Sequence, residues 1–156
     1  MGAEDATALR HFYEIVAASL DEMNANPGGR ADLRGALERG ELPRTAAMLD
    51  SFDPEVEWAP LEAEGKVFRR RSGMVAILEA WYEAMDDWHV EPEEIVDAGE
   101  SLVLTVRVRA RGRASGATVE ERGYAVFRMR DGKVLRCDEY ADVYTAREAA
   151  GLPSAA

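Results

Sequence analysis

The sequence predicts an α+β fold with helices on one face of an antiparallel sheet. Three observations carry this. Apolar residues in the first half recur at helical spacing, the period changes to two from Trp88 onward, and helices and strands are grouped instead of alternating as βαβ units. At 156 residues the chain is close to the ~150 typical of one domain, so residues 1–156 are read as a single unit.

The first helix is expected from about Asp5, because Leu9, Phe12, Tyr13, Val16, Leu20 and Met23 form one stripe. Asn26-Pro27-Gly28-Gly29 is a strong breaker that ends it. Leu33 and Leu37, four apart, mark a short helix closed by Gly40, and a third runs from Pro43 to Leu49. A short strand follows over Phe52 to Pro60, and Glu62 to Arg71 reads as a loop with room for one strand pair. Met74, Ile77, Leu78, Trp81, Tyr82 and Met85 give the clearest helical stripe, with Ser72 placed to cap it.

Four strands are then expected over 90–96, 101–111, 119–129 and 134–143, parted by Ala98-Gly99, by Gly112 to Gly116 and by Asp131-Gly132. Asp-Gly is the most specific of these turns, since a two-residue hairpin loop needs positive φ at both positions. Thr145 and Glu148 have capping-box spacing for a last short helix that ends at Gly151.

Composition narrows the partners. With 47% hydrophobic and 31% charged residues the chain is of ordinary globular type. A net charge of -11 repels phosphate backbones, so nucleic acid is not an expected partner. No apolar stretch approaches the ~18 residues of a membrane span, and Glu4 and Asp5 stand where a secretory leader carries lysines, so a cytoplasmic location with no membrane partner is expected. Cys137 is the only cysteine and reads as a small buried hydrophobe, and His11 and His89 have no ligand spacing, so no metal is expected.

Side-chain alternation singles out a few residues. On the last strand Leu135, Cys137, Glu139, Ala141 and Val143 share a face, which makes Glu139 a lone carboxylate on an apolar row. Burying it unpaired is costly, so it is either paired, swung out by a β-bulge, or set on a cavity where a raised pKa makes its proton useful. Leu104, Val106, Val108 and Ala110 oppose Thr105, Arg107, Arg109 and Arg111 on their strand. Alternation sends the arginines to solvent; a polar-lined concave face instead lets Arg107 reach Glu139. Tyr13 either donates a hydrogen bond into a cavity or packs in the core. Trp58, Trp81, Trp88 and Phe127 are large apolar walls that line a pocket or fill the core, and His89 stands at a strand entrance beside Trp88.

The order of helix, helical hairpin, "FDPEVEWAP", loop, "SGMVAILEAWYEAMDDW", and then strands bearing "EPEEIVDAGESLVLTVRVRARG" and "YAVFRMRDGKVLRCDEYADV" before "AREAAGL" resembles the SnoaL-like branch of the NTF2-like (ketosteroid isomerase-like) superfamily. The resemblance is best over residues 32–152, with 1–31 an extra or modified N-terminal helix. It implies a cone-shaped sheet with a pocket for a small hydrophobic molecule at its wide end, frequent homodimers through the sheet's outer face, and no organic cofactor. Relatives include ketosteroid isomerases, polyketide cyclases, an epoxide hydrolase and noncatalytic binding domains, so the fold leaves the reaction open. Glu139 falls where the epoxide hydrolase places a catalytic aspartate, Arg107 falls on that enzyme's arginine, and Tyr13 resembles the first-helix tyrosine of some cyclases and isomerases. Arg109, Trp58 and Pro60 depart from the residues that hydrolase needs, which argues against epoxide hydrolysis. The implied roles are catalysis by Glu139, Arg107 and Tyr13 and substrate contact by Trp58, Trp81, Trp88, Phe127 and His89, with a noncatalytic binding or scaffold domain as the alternative.

Overall fold

In a computed structural model, which describes residues 2–61 and 65–153, the N-terminal stripe is the inner face of α1 (Gly2–Asn24). All six stripe residues are buried, and Ser19 with them. The expected breaker is instead used to start a short helix. Asn26 Oδ1 accepts from the Gly29 N–H at 2.9 Å and Pro27 opens α2 (Pro27–Ala31). Asp32 caps α3 (Leu33–Glu38) in the same way through the Gly35 N–H. The fourth helix, α4 (Pro43–Asp50), has no cap of its own at Leu42. Glu22 of α1 supplies one, its carboxylate accepting from the backbone N–H groups of Arg44 and Thr45 at 3.0 and 2.8 Å.

The strands are β1 (Phe52–Ala59), β2 (Phe68–Arg69), β3 (Met85–Asp97), β4 (Leu102–Gly112), β5 (Thr118–Arg130) and β6 (Lys133–Tyr140). They form one curved sheet in the order β2-β1-β6-β5-β4-β3. The sheet is mixed, not wholly antiparallel as expected: β1 runs parallel to β6, with Trp58 opposite Cys137 and Ala59 opposite Asp138. Parallel neighbours need a long crossover. Here it is everything between β1 and β6. Glu62 to Glu64, within the expected loop, lie outside the described residues, and β2 is the strand pair anticipated there.

The central helix α5 (Arg70–Ala84) begins two residues before Ser72, which therefore sits inside its first turn and does not cap it. Met74, Val75, Leu78 and Tyr82 bury its inner face. The final helix α6 (Val143–Ala149) is capped by Asp142, whose side chain accepts from the Thr145 N–H; Thr145 is not the cap. Its end matches expectation, with Gly151 at φ 80° and the Leu152 N–H reaching Arg147 O at 2.9 Å.

The main core lies between the concave face of the sheet and helices α1, α4 and α5. A second cluster of Val103, Val126 and Ala146 packs α6 on the opposite face. Among the described residues no helix is long and apolar enough to cross a membrane. The chain is thus an α+β domain with a six-stranded curved, open sheet.

Asp131 and Gly132 both have positive φ, 52° and 77°, as the hairpin turn requires, and nothing lies within 4 Å of a Cβ built on Gly132. A Cβ at this position therefore meets no neighbour, and Gly132→Val is expected to cost the strain of a side chain held in the left-handed region, roughly 1–2 kcal/mol in urea denaturation; unchanged stability would rule out the turn geometry. Asp53 joins β1 to β5 through two bonds from Arg130, at 2.9 and 2.8 Å, and these hold its carboxyl below its usual 3.8. A depressed folded pKa stabilises above the unfolded value and fades as pH falls through the folded one. The stability gap between wild type and Arg130→Met should be full at neutral pH and narrow below about pH 4; a gap that ignores pH down to about 2 contradicts this pairing.

Candidate functional site

A cavity of about 290 Å³ lies between α1, α5 and the concave face of the sheet. That is at the lower bound of the ~300–1,000 Å³ typical of ligand pockets. Phe12, Tyr13 and Val16 of α1 form one wall, Ile77, Leu78 and Trp81 of α5 a second, and Trp88 and Val90 of β3 with Leu104, Val106 and Val108 of β4 a third. Trp58 and Leu61 complete it beside Glu139. The β4 residues are those that alternation assigned to the inner face.

Glu139 is the carboxylate of that apolar wall. Its Oε2 accepts from Trp58 Nε1 at 2.9 Å and its Oε1 from the Leu61 N–H at 3.0 Å. The parallel β1–β6 register makes the first bond possible, because it sets Trp58 opposite Cys137, two residues from Glu139 on the same side of β6. The expected danger, a bulge turning Glu139 outward, is realised elsewhere on the strand. Arg128 pairs with Arg136 but Met129 pairs with Val134, so the irregularity falls at Leu135. Leu135 joins Arg136 and Asp138 at the groove on the outer face, contrary to its expected inward position, while Glu139 pairs with Ala125 and stays at the cavity.

Tyr13 is 7% exposed and borders the cavity. Burial, together with the negative potential of Cys137 and Glu139, pushes its hydroxyl well above the usual 10.0, so it is a neutral phenol. Trp81 and Trp88 are stacked with ring centroids 4.8 Å apart and planes 3° from parallel.

Three of the anticipated site residues stand elsewhere. Arg107 is on the outer face of β4, its side chain 54% exposed and paired with Glu120, so it does not reach Glu139. Alternation, which sent it to solvent, outweighs the positional resemblance. His89 lies between Trp88 and Val90 on β3; those two side chains face the cavity, and the pleat directs His89 to the other side. Phe127 is fully buried and does not border the cavity. It sits beneath the wall, edge-on to Trp58 at 5.6 Å and to Tyr13 at 6.1 Å.

Sequence reasoning passed over the Leu61 N–H, a backbone donor that carries no side-chain signal. It also passed over Phe12, whose place on the Tyr13 stripe was a usable one. Gly123 was missed as well. It borders the cavity opposite Val106, and a Cβ there would lie 3.1 Å from Val106 Cγ2, so a side chain at this point would crowd the wall. Among the described residues no group of three or more His, Cys, Asp or Glu is placed to hold a metal ion.

Comparison with known proteins agrees with the geometry. The model of the SnoaL-like domain family matches residues 29–137. An NTF2-like protein of unknown function from Burkholderia pseudomallei superposes with a TM-score of 0.61 at 17% identity, covering 93% of this chain and 95% of that one. A putative SnoaL-like polyketide cyclase from Jannaschia sp. gives 0.61 at 14% identity over 98% and 95%. A protein with a ketosteroid isomerase-like fold from Catenulispora acidiphila, in complex with trimethylamine, gives 0.55 at 14% over 69% and 82%. A search of curated proteins found no match.

Cys137 is fully buried under Glu139, and burial pushes its thiol well above 9.0. It should resist alkylation in the native protein and react once urea unfolds the chain; rapid native labelling would contradict the packing of β6.

Proposed function

Since the chain belongs to the SnoaL-like domain family, we propose that its cavity receives a small apolar carbonyl compound and that Glu139 serves there as the catalytic base. The observation that carries the reading is a carboxylate oriented by an indole and a backbone N–H on a mostly apolar cavity, whose lining also includes the exposed residues Glu121 and Arg122. A group held by two donors keeps its geometry when a ligand enters, as a general base requires.

The chemistry is an enolisation. Glu139 takes a proton from the carbon next to the carbonyl, and the C–H electron pair moves into a carbon–carbon double bond as the carbonyl oxygen takes up negative charge. Tyr13, a neutral phenol at the same cavity, donates a hydrogen bond to that oxygen. Return of the proton from Glu139 to the same carbon gives exchange, and return to another carbon of an extended enolate gives isomerisation; where the enolate carbon instead attacks a second carbonyl of the same molecule, the new carbon–carbon bond closes a ring and the proton passes from Glu139 to that carbonyl's oxygen. Nothing is oxidised or reduced. Arg107 has no part in this reading, because its guanidinium is engaged with Glu120.

A noncatalytic ligand-binding role is the second reading. Both carboxylate oxygens of Glu139 already accept structural hydrogen bonds, which suits a wall residue as well as a base. Deuterium uptake in D2O at the carbons flanking the carbonyl of 2-tetralone, followed by NMR, separates the two. Wild type should accelerate uptake over buffer, and Glu139→Gln should lose on the order of 10²–10⁴-fold of it. Equal acceleration by Glu139→Gln removes the base from the mechanism, while tetralone binding with no acceleration supports the noncatalytic reading.

A further inference from the structure

The Trp81–Trp88 wall is held from behind by one amide. Asp86 pairs with Arg111 and His89 with Arg109, so Asp87 and Trp88 together face the single residue Ala110, a β-bulge with Asp87 at φ 49°. A bulge disrupts the ladder locally. At this point Asn24, the last residue of α1, takes the place of a neighbouring strand. Its Nδ2 donates to Trp88 O at 2.9 Å, and its Oδ1 accepts from the Trp88 N–H at 3.2 Å. The same Oδ1 accepts from the Tyr82 hydroxyl at 3.1 Å. Tyr82 in turn packs edge-on against the Trp88 ring at 5.6 Å, with the Arg30 guanidinium over its own ring.

The indole itself has no such tether. Trp88 Nε1 is buried and has no hydrogen-bond partner among the described residues, unlike Trp58 Nε1, which is fixed on Glu139. The ring is therefore located by its backbone, by Tyr82 and by its stack on Trp81, and Asn24 bonds directly to two of these three supports.

We propose that Asn24 is a positioning residue for ligand recognition: by clamping the bulged Trp88 backbone and the Tyr82 hydroxyl it sets the Trp81–Trp88 pair as a fixed wall and so selects flat aromatic ligands for the cavity. This rests on the reading of the cavity as a ligand site, so the test has one arm that needs no ligand. The stacked indoles of the apo protein should give an exciton couplet in circular dichroism, and anthraquinone should quench tryptophan fluorescence on binding. In Asn24→Ala the couplet should collapse and anthraquinone affinity should fall at least about tenfold, with cooperative unfolding retained. Asn24→Asp, which keeps the acceptor and loses the donor to Trp88 O, should show both effects in weaker form. It carries the test should Asn24→Ala not fold. An unchanged couplet in a folded variant, or a lost couplet with unchanged affinity, overturns the proposal. A wild type that shows the couplet but binds no anthraquinone rejects the selection of flat aromatic ligands, and the tetralone assay then decides whether the cavity is a ligand site.

Discussion

The hydrogen bond from the Trp58 indole to Glu139 is the constraint around which the rest of the cavity is arranged. A carboxylate on an apolar wall is expensive to bury without donors, and the donors must come from outside its own strand. Strand β1 provides the indole and the chain just beyond it the Leu61 N–H, because β1 runs parallel to β6 across a crossover of nearly half the chain. Had β1 paired elsewhere, Glu139 would need another partner or another direction. The edge-on contacts of Trp58 with Phe52 and Phe127 then carry the same constraint into the core.

The two faces of the sheet divide polar work from apolar work. On the inner side, Leu104, Val106 and Val108 meet the helices; on the outer side, Arg107, Arg111 and Arg122 pair with Glu120, Asp87 and Glu93. Exposed pairs of this kind contribute about 0–1 kcal/mol each. Their effect is to keep these arginines neutralised and wet. At one end α6 covers Val103 and Val126, so the outer face is not uniformly polar.

Local patterns were readable in the sequence and distant pairings were not. The α1 stripe, the β4 alternation and the Asp131-Gly132 turn each follow from a few adjacent residues, and the structure has all three. Glu139 was legible as a carboxylate out of place on its strand. Its bond from the Trp58 indole was not, because Trp58 lies 81 residues away. Helix starts were misplaced by a few residues: α5 begins at Arg70 with no side-chain cap, ahead of Ser72, and Asp142 caps α6 in place of Thr145. For Arg107, positional likeness to a remote relative and alternation point to opposite faces, and the pleat of β4 decides for alternation. Asn24 gave no signal because its three bonds all lead to residues at least 58 positions away.

Gly123 gives this architecture a simple route to diversification. Val106 packs closely against the bare backbone there at the cavity wall, and a single methyl group would come within 3.1 Å of Val106 Cγ2. One codon change there would trade volume for shape without touching Glu139, Tyr13 or the ladder bonds of β5. Divergence among descendants of such a gene could therefore begin in the volume of the cavity, with its polar groups inherited intact.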